Sequence, residues 1–395
     1  CLILLQMKNK ILLIAIISII LTGCGFSPIY TGNSKQIIIS KSEITGDKIL
    51  AFELEQKLNF TKDDKNLTAY VFKAQIFDDI RNRNFIIQII LFRKLLKKKR
   101  FDVIHLHLPR AEIVGVLASL GLRIVAISSR HNTEPFFPGS PSLVSTLLSR
   151  VVLIRQSSVI AISKSVRTFL LSRREISKRQ QVDVIYYGYD ETISAPKQPR
   201  ELRDGEKLEK FVTLSRLAPQ KDLKTMIQAL AIYRGKFGFG QLEVYGDGPL
   251  DEELNTFARN LGIAQYVVFC GRTSDVPKVM QKKQCFLLSS KYEGFGLVLL
   301  EAMQQGLPII CSKISTTEEV MGLGYGLFFE TSNPQDLATK MEFLQQPRLY
   351  RDSSEYGIQR LSEFDPRKSA MKILNVYDEF LEGGRGENRA ARDGG

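Results

Sequence analysis

Two carboxylates, Glu293 and Glu301, flank a glycine-bearing turn in the run Lys291-Tyr292-Glu293-Gly294-Phe295-Gly296-Leu297-Val298-Leu299-Leu300-Glu301-Ala302-Met303. The apolar segment 285–288 precedes them, so the order reads strand, turn, helix. Gly294 and Gly296 let the backbone approach a ligand closely, and a helix beginning near Leu297 offers unpaired N–H groups to a phosphate. Glu293 then lies in the turn and Glu301 inside the helix. Both can face one cleft from different depths and hold ligand hydroxyls without competing for phosphates. A second cluster, Ser215-Arg216-Leu217-Ala218-Pro219-Gln220-Lys221-Asp222, follows the strand-like segment 211–214. It places two cations, Arg216 and Lys221, at a strand's carboxyl end, where they suit a diphosphate leaving group. In isolation such charges are ordinary solvated surface, and their context gives them meaning.

The chain has three histidines, His105, His107 and His131. His105 and His107 share one strand face by spacing, but no acidic or cysteine cluster accompanies them, so no metal is expected. His105 reads as a packed or capping residue. For His107 a site role and a structural one stand about even, and His131, in Ser129-Arg130-His131-Asn132, is the best site candidate of this half. The turn Tyr245-Gly246-Asp247-Gly248-Pro249-Leu250 reads mainly as architecture.

These residues need a scaffold, and the alternation of segments supplies one. A helix is expected over 84–100, ending in a basic run that complements its dipole. It is read first as a crossover helix and second as a membrane-surface patch. A strand at 101–108, a helix at 111–120 and a strand at 123–128 follow. Segments 151–155, 158–163 and 182–186 continue the alternation. Residues 195–210 turn polar, as a linker does. A second unit then runs through strands at 211–214, 242–245, 267–269, 285–288 and 307–311, with helices at 223–233 and 250–262. Alternation of this kind implies parallel, doubly wound sheets with a ligand crevice outside the strands' carboxyl ends.

Composition is that of a globular protein, 44% hydrophobic and 25% charged. The formal charge of +13 favours anionic partners. Five scattered cysteines form no CxxC pair, which argues against a disulfide framework or zinc site and for a reducing compartment. The front end differs. Lys8 and Lys10 precede an apolar run from Ile11 to Leu21, and Leu21-Thr22-Gly23-Cys24 closes it, the pattern of an export signal. The four residues up to Cys24 resemble a bacterial lipobox, which makes Cys24 a lipidation candidate. The chain opens on Cys1 and reads as a fragment or as a frame translated past its start.

Residues 79–381 resemble family 4 glycosyltransferases, on the two glutamates of the Glu-Gly-Phe-Gly turn, the Arg216/Lys221 loop, the Gly246 turn and the segments 101–107, 129–132, 159–165 and 184–190. Ser215 stands where glycine is commonest. The resemblance implies an α/β fold of GT-B type, two Rossmann-like doubly wound domains. It also implies a retaining transferase that moves a sugar from a nucleotide-sugar donor to a hydroxyl acceptor, in cell-envelope glycan or glycolipid synthesis. Carried over, Glu293 contacts the donor sugar, Glu301 the nucleotide ribose, Arg216 and Lys221 the diphosphate. Gly294, Phe295 and Gly296 complete the donor loop, and Glu293 and His131 are the catalytic candidates. No cofactor beyond the nucleotide sugar is implied. The partners are the donor, a glycan or lipid-linked acceptor and an anionic membrane surface, with no nucleic acid. Residues 7–74 are similar instead to the start of an outer-membrane lipopolysaccharide-assembly lipoprotein, through Gly25-Phe26-Ser27-Pro28-Ile29-Tyr30 and Gly46-Asp47-Lys48-Ile49-Leu50.

The expected division is an export segment at 1–23, a lipoprotein-like segment at 24–78, a truncated acceptor-side domain at 79–196, a nucleotide-sugar domain at 197–381 and a disordered tail at 382–395. A join is expected between Tyr70 and Asp79. The transferase body calls for the cytoplasm or the inner-membrane surface, whereas the signal and lipobox, if used, call for membrane anchoring. A lipopolysaccharide-assembly lipoprotein and an inactive donor-binding remnant are the alternative readings, and an epimerase or phosphorylase of the same shape is disfavoured.

Overall fold

Apolar runs with β-branched residues become two parallel sheets. The computed structural model describes residues 85–99, 101–134, 142–153, 156–176, 180–189, 198–203 and 205–390. The export segment, Cys24, the lipoprotein-like stretch and the expected join lie outside them.

The first unit comprises α1 (Phe85–Lys99), β1 (Val103–His107), α2 (Pro109–Ser119), β2 (Val125–Arg130), α3 (Ser142–Leu153), β3 (Ser158–Ala161), α4 (Lys164–Ser172) and β4 (Val182–Val184). Its strands lie in the order β1-β2-β3-β4, all parallel. Val151 to Leu153, expected to continue the alternation of segments without a type assigned, form the last turn of α3. Short apolar runs carry no period that separates strand from helix. Helix α1 buries Phe92 and Leu96, one turn apart, and exposes Ile86, Ile87, Ile90 and Leu91. Arg93 reaches from it to the carbonyls of Ala118 and Leu120 at 2.8 and 2.6 Å, closing the end of α2. Among the described residues β1 has no strand on its outer side.

The second unit comprises β5 (Lys210–Leu214), α5 (Leu223–Phe237), β6 (Gln241–Tyr245), α6 (Asp251–Asn260), β7 (Val267–Gly271), α7 (Val276–Gln281), β8 (Cys285–Leu288), α8 (Leu297–Gln304), β9 (Ile309–Ser312), α9 (Ser315–Met321), β10 (Phe328–Phe329), α10 (Pro334–Phe343) and α11 (Pro347–Arg360). The parallel order β10-β9-β8-β5-β6-β7 winds outward in both directions from β5 and β8, so the switch point lies between these two strands. The polar segment before β5 is strapped to this unit. Arg200 donates to the carbonyls of Gln305 and Lys283 at 2.8 and 2.6 Å, and Leu202 and Leu208 are buried.

A last helix, α12 (Pro366–Ala390), returns to the first sheet. Its Val376 packs with Ile127, Ile160 and Ile185, and the Tyr377 hydroxyl lies 2.6 Å from His105 Nδ1. The helix extends through Gly383 and Gly384 to Ala390, where disorder was expected from residue 382. A helical glycine costs only about 1 kcal/mol against alanine, too little to end a helix already propagated from an anchored amphipathic stretch.

The first unit also holds a buried ionic cluster. Arg130, at the end of β2, lies 3.4 Å from Glu112 of α2 and 3.4 Å from Glu175, and donates to Ser149 of α3 at 2.8 Å. Burial pushes the Glu112 carboxyl up to about 7 against the pull of Arg130. The folded state therefore holds a proton that the unfolded chain, with a glutamate pKa of about 4.3, releases earlier. This contribution to stability is complete below the unfolded value and declines as pH rises toward 7. Between pH 5 and 7.5 the melting temperature of the native chain should fall relative to that of Glu112→Gln. A difference that stays flat with pH would contradict this assignment.

Candidate functional site

The two loops at the switch point, after β5 and after β8, are tied to each other. The backbone N–H of Lys291 donates to the Gln220 carbonyl at 2.8 Å, and the Gln220 side chain donates to the Tyr292 carbonyl at 2.7 Å. Ser289 donates to the carbonyls of Lys221 and Asp222 at 2.8 and 3.1 Å. On this frame Lys221 Nζ meets Glu293 Oε1 at 2.5 Å, with both side chains largely buried. Ser290 Oγ donates to the same oxygen at 2.6 Å. Among the described residues Glu293 Oε2 accepts no hydrogen bond, and an ammonium has two further donors beyond the one used here. The pair thus keeps one acceptor and two donors for a ligand.

Arg216 is exposed and makes no hydrogen bond or ion pair among the described residues. Its loop rests on the turn after β6, where the N–H of Leu217 donates to the Asp247 carbonyl at 2.8 Å and the N–H of Leu250 to the Leu217 carbonyl at 3.1 Å. That turn is architecture, as its sequence reads. Glu301 is half-buried in the second turn of α8, whose N-cap is Gly296 at φ 84°, ψ 56°. Phe295, expected in the donor loop, buries its ring against Tyr186, Tyr187 and Phe364. It shapes the loop from beneath, because a phenyl ring gains more from the aromatic cluster than from a polar cleft.

The first unit closes on this loop. A side chain at Gly294 would collide with the carbonyl of His131, so glycine is required for the two backbones to meet. Thr316 donates to the Glu293 carbonyl at 2.8 Å, and Thr133 lies 3.5 Å from it. Ser163, N-cap of α4, accepts from the N–H of Val166 at 3.1 Å and sends its hydroxyl proton to the Gly294 carbonyl at 2.7 Å. Glu319 of α9 accepts from the N–H groups of Lys164 and Ser165 at 2.6 and 3.1 Å, a carboxylate set on a helix N-terminus.

His131 therefore lies beside the loop of Glu293. Its Nε2 is 3.0 Å from Nδ1 of His107, and its Nδ1 contacts the Tyr187 hydroxyl. Burial, His107 and Arg130 together pull its pKa down to about 3, so it is neutral at physiological pH. His105 is packed, its Nε2 2.8 Å from Ser129 Oγ. Sequence reasoning missed Tyr187, Ser163, Thr316 and Glu319 as site residues. Ser163 carried a signal, a serine directly before a helix, while the other three carried none.

Two Rossmann-like parallel sheets, the first abutting the switch point of the second, are the arrangement of the GT-B fold. The sequence matches the family described as "Glycosyl transferases group 1" over residues 194–360 and "Glycosyltransferase Family 4" over residues 57–192. The second match begins ahead of Asp79, inside the segment expected to be lipoprotein-like. The chain is 26% identical over 302 residues to N-acetyl-alpha-D-glucosaminyl L-malate synthase of Bacillus anthracis, covering 73% of this chain and 77% of that one. Over 158 residues it is 33% identical to lipopolysaccharide 1,6-galactosyltransferase of Salmonella typhimurium, covering 39% of this chain and 42% of that one. Its fold matches the crystal structure of Anabaena Alr3699/HepE in complex with UDP and glucose, with a TM-score of 0.64 and 22% identity, over 74% of this chain and 81% of that one. The chain is a glycosyltransferase with the GT-B fold.

Gly294→Ala tests the contact between the units. The added methyl has only backbone to displace, so kcat/KM should fall by about 100-fold or more, the scale of a misplaced reacting geometry. The melting temperature should change little if the second unit keeps its own core. Full activity in this variant would show that the contact is dispensable.

Proposed function

We propose that the chain transfers a sugar from a nucleotide-diphosphate sugar to a hydroxyl of a glycan or lipid-linked acceptor, with retention at the anomeric carbon. The observation that carries this reading is the Lys221–Glu293 pair, held between the two switch-point loops with donors and a carboxylate oxygen unused among the described residues. Arg216 and Lys221, with the N-terminus of α8, stabilise negative charge gathering on the departing diphosphate. Glu293 holds the sugar through Oε2, and Glu301 takes the ribose.

In the step itself the bond from the anomeric carbon to the phosphate oxygen breaks and a bond to the acceptor oxygen forms on the same face. The acceptor's proton passes to the departing phosphate. Protein cations supply the charge, so no metal or cofactor is invoked. The named relatives support the donor class, one being an N-acetyl-alpha-D-glucosaminyl L-malate synthase and one a structure in complex with UDP and glucose. A cell-envelope acceptor is favoured by the similarity to a lipopolysaccharide galactosyltransferase. The exposed apolar residues of α1, beside exposed Lys94, Lys97 and Lys98, suit an anionic membrane surface carrying such an acceptor. Among the described residues no helix is long and apolar enough to cross a membrane.

Turnover of UDP-, GDP- and ADP-sugars by the full chain, with glycan and lipid-linked acceptors, tests the proposal. Lys221→Ala and Glu293→Gln should each reduce kcat by about 100- to 1,000-fold, as loss of a transition-state donor does elsewhere. The product's anomeric configuration, read by NMR, should equal the donor's. Donor binding without turnover would mark an inactive remnant, and inversion would remove the retaining assignment.

A further inference from the structure

The chain's positive charge is unevenly placed. Between residues 85 and 189 the sequence carries 17 Lys and Arg against 5 Asp and Glu, whereas from residue 190 to the end 27 stand against 29. The first unit thus holds most of the excess, and the unit built around Lys221 and Glu293 is near neutral. Exposed apolar side chains gather on the same first unit. On α3, Leu143, Leu147 and Val151 recur at every fourth position and are all exposed, Leu143 to 82%, so they form one ridge with exposed Arg150 beside it. Neither α3 nor α1 contains an acidic residue.

Packing puts these two helices on one side of the first sheet. Phe92 and Leu96 of α1, Val114 of α2 and Val152 of α3 belong to one cluster over Ile104 and Ala126, while α12 packs against Ile127 and Ile160 on the opposite side. Val152 meets that core and Val151 meets solvent, so the ridge is the outer face of a helix whose inner face is already packed. Each helix also runs against the strand that follows it, as a crossover between parallel strands requires. The first turns of α1 and α3 therefore lie toward the strands' carboxyl ends, where Ser163 and His131 meet the loop of Glu293. Leu143 stands in the first turn of α3. Ile86, Ile87 and Ile90 stand in the first half of α1, and Lys94, Lys97 and Lys98 follow in its second half. Apolar residues lead at the cleft end of this surface, and cations lie behind them.

We infer that this helical side of the first unit docks on an anionic bilayer with the cleft end turned toward the lipid, and that the acceptor is lipid-linked rather than a free glycan. A leucine ridge rimmed by cations is what an interfacial helix presents. Its apolar side chains enter the boundary between headgroups and acyl chains while lysine and arginine stay with the phosphates. A nucleic acid would engage the cations and leave the ridge in water. The acceptor class rests on the nucleotide-sugar reading above, and the docking face does not.

The chain has no tryptophan, so a single one reports on its own position. Leu147→Trp and Leu323→Trp are made in the full chain, the second at an 84% exposed site of the second unit. Each is mixed with vesicles of phosphatidylglycerol and brominated phosphatidylcholine, and with vesicles of the brominated lipid alone. Emission of the Leu147→Trp variant should be quenched by the anionic vesicles, less by the neutral ones, and less again as salt is added. Emission of the Leu323→Trp variant should stay unquenched. Leu143→Ser combined with Leu147→Ser should weaken vesicle binding by about 10-fold or more, as loss of apolar contact does, with the melting temperature unchanged. With a donor that turns over, this double variant should lose transfer to a bacterial lipid extract in vesicles and keep transfer to the same extract dispersed in detergent.

Vesicle binding that leaves the Leu147→Trp variant unquenched, as tethering through another segment would, overturns the docking face. So does equal quenching of the Leu323→Trp variant, or binding to RNA or an acidic protein with none to vesicles. Transfer to soluble glycans with none to the lipid extract overturns the acceptor class alone. Absence of turnover with every donor overturns the nucleotide-sugar reading and the acceptor class with it, while the quenching, which needs no donor, still decides the docking face.

Discussion

Everything in the cleft depends on two adjacent backbone carbonyls, those of Glu293 and Gly294. The first accepts from Thr316 of the second unit and approaches Thr133 of the first, and the second accepts from Ser163 across the boundary. A buried carbonyl left without a partner costs about 1–3 kcal/mol, so these bonds fix where the loop sits rather than merely decorating it. Glycine at 294 is the condition for that arrangement, because any Cβ would meet the His131 backbone. The loop's side chain, Glu293, is then aimed by the same frame that joins the units.

The frame also couples the two sheets at a distance from the cleft. Ser163 is both cap and bridge, one hydroxyl serving the start of α4 and the donor loop. Glu319 places its charge on the same helix start from the other unit. Helix α12 returns to the first sheet, and its Tyr377 braces His105. Movement of one unit against the other therefore breaks a few specific polar contacts, most of them within one helical turn of a site residue. Rigid-body opening that exposes Glu293 also releases Ser163 and the first turn of α4.

The second unit was largely legible in the amino-acid sequence because its strands are short, continuous apolar runs bounded by turns. Cys285–Leu288 reads as a strand because a glycine-bearing turn follows it directly, and the switch-point loops follow from it. The strand Phe328–Phe329 was not legible, since two residues carry no period. In the first unit, Val151 to Leu153 could not be typed from sequence, because an apolar triplet suits a buried strand and a helix face equally. The site's charged members, Glu293, Lys221 and Arg216, were visible as charges next to glycine and strand ends. Tyr187 and Glu319 were not, because their role comes from elements far apart in sequence that only tertiary packing brings together. Arg130 and His131 show the same limit. Adjacent in sequence, one ends in a buried ionic cluster and the other beside the cleft, a division set by the alternation of faces at the end of β2.

The Lys221–Glu293 pair has a further consequence for how a ligand enters. Glu293 is 7% exposed, and a buried charge is costly unless it is paired. Before ligand arrives, Lys221 provides it. A diphosphate near Lys221 and Arg216 offers the ammonium a second anion, and a sugar hydroxyl near Glu293 offers the carboxylate a donor. On the proposed reaction each partner of the pair then gains a ligand contact as it loosens its hold on the other, so little charge is left uncompensated at any stage. A nucleotide without its sugar satisfies only the lysine side of that exchange and leaves Glu293 short of a donor. On the proposed reaction, discrimination between a nucleotide sugar and its bare diphosphate follows from the burial of one carboxylate.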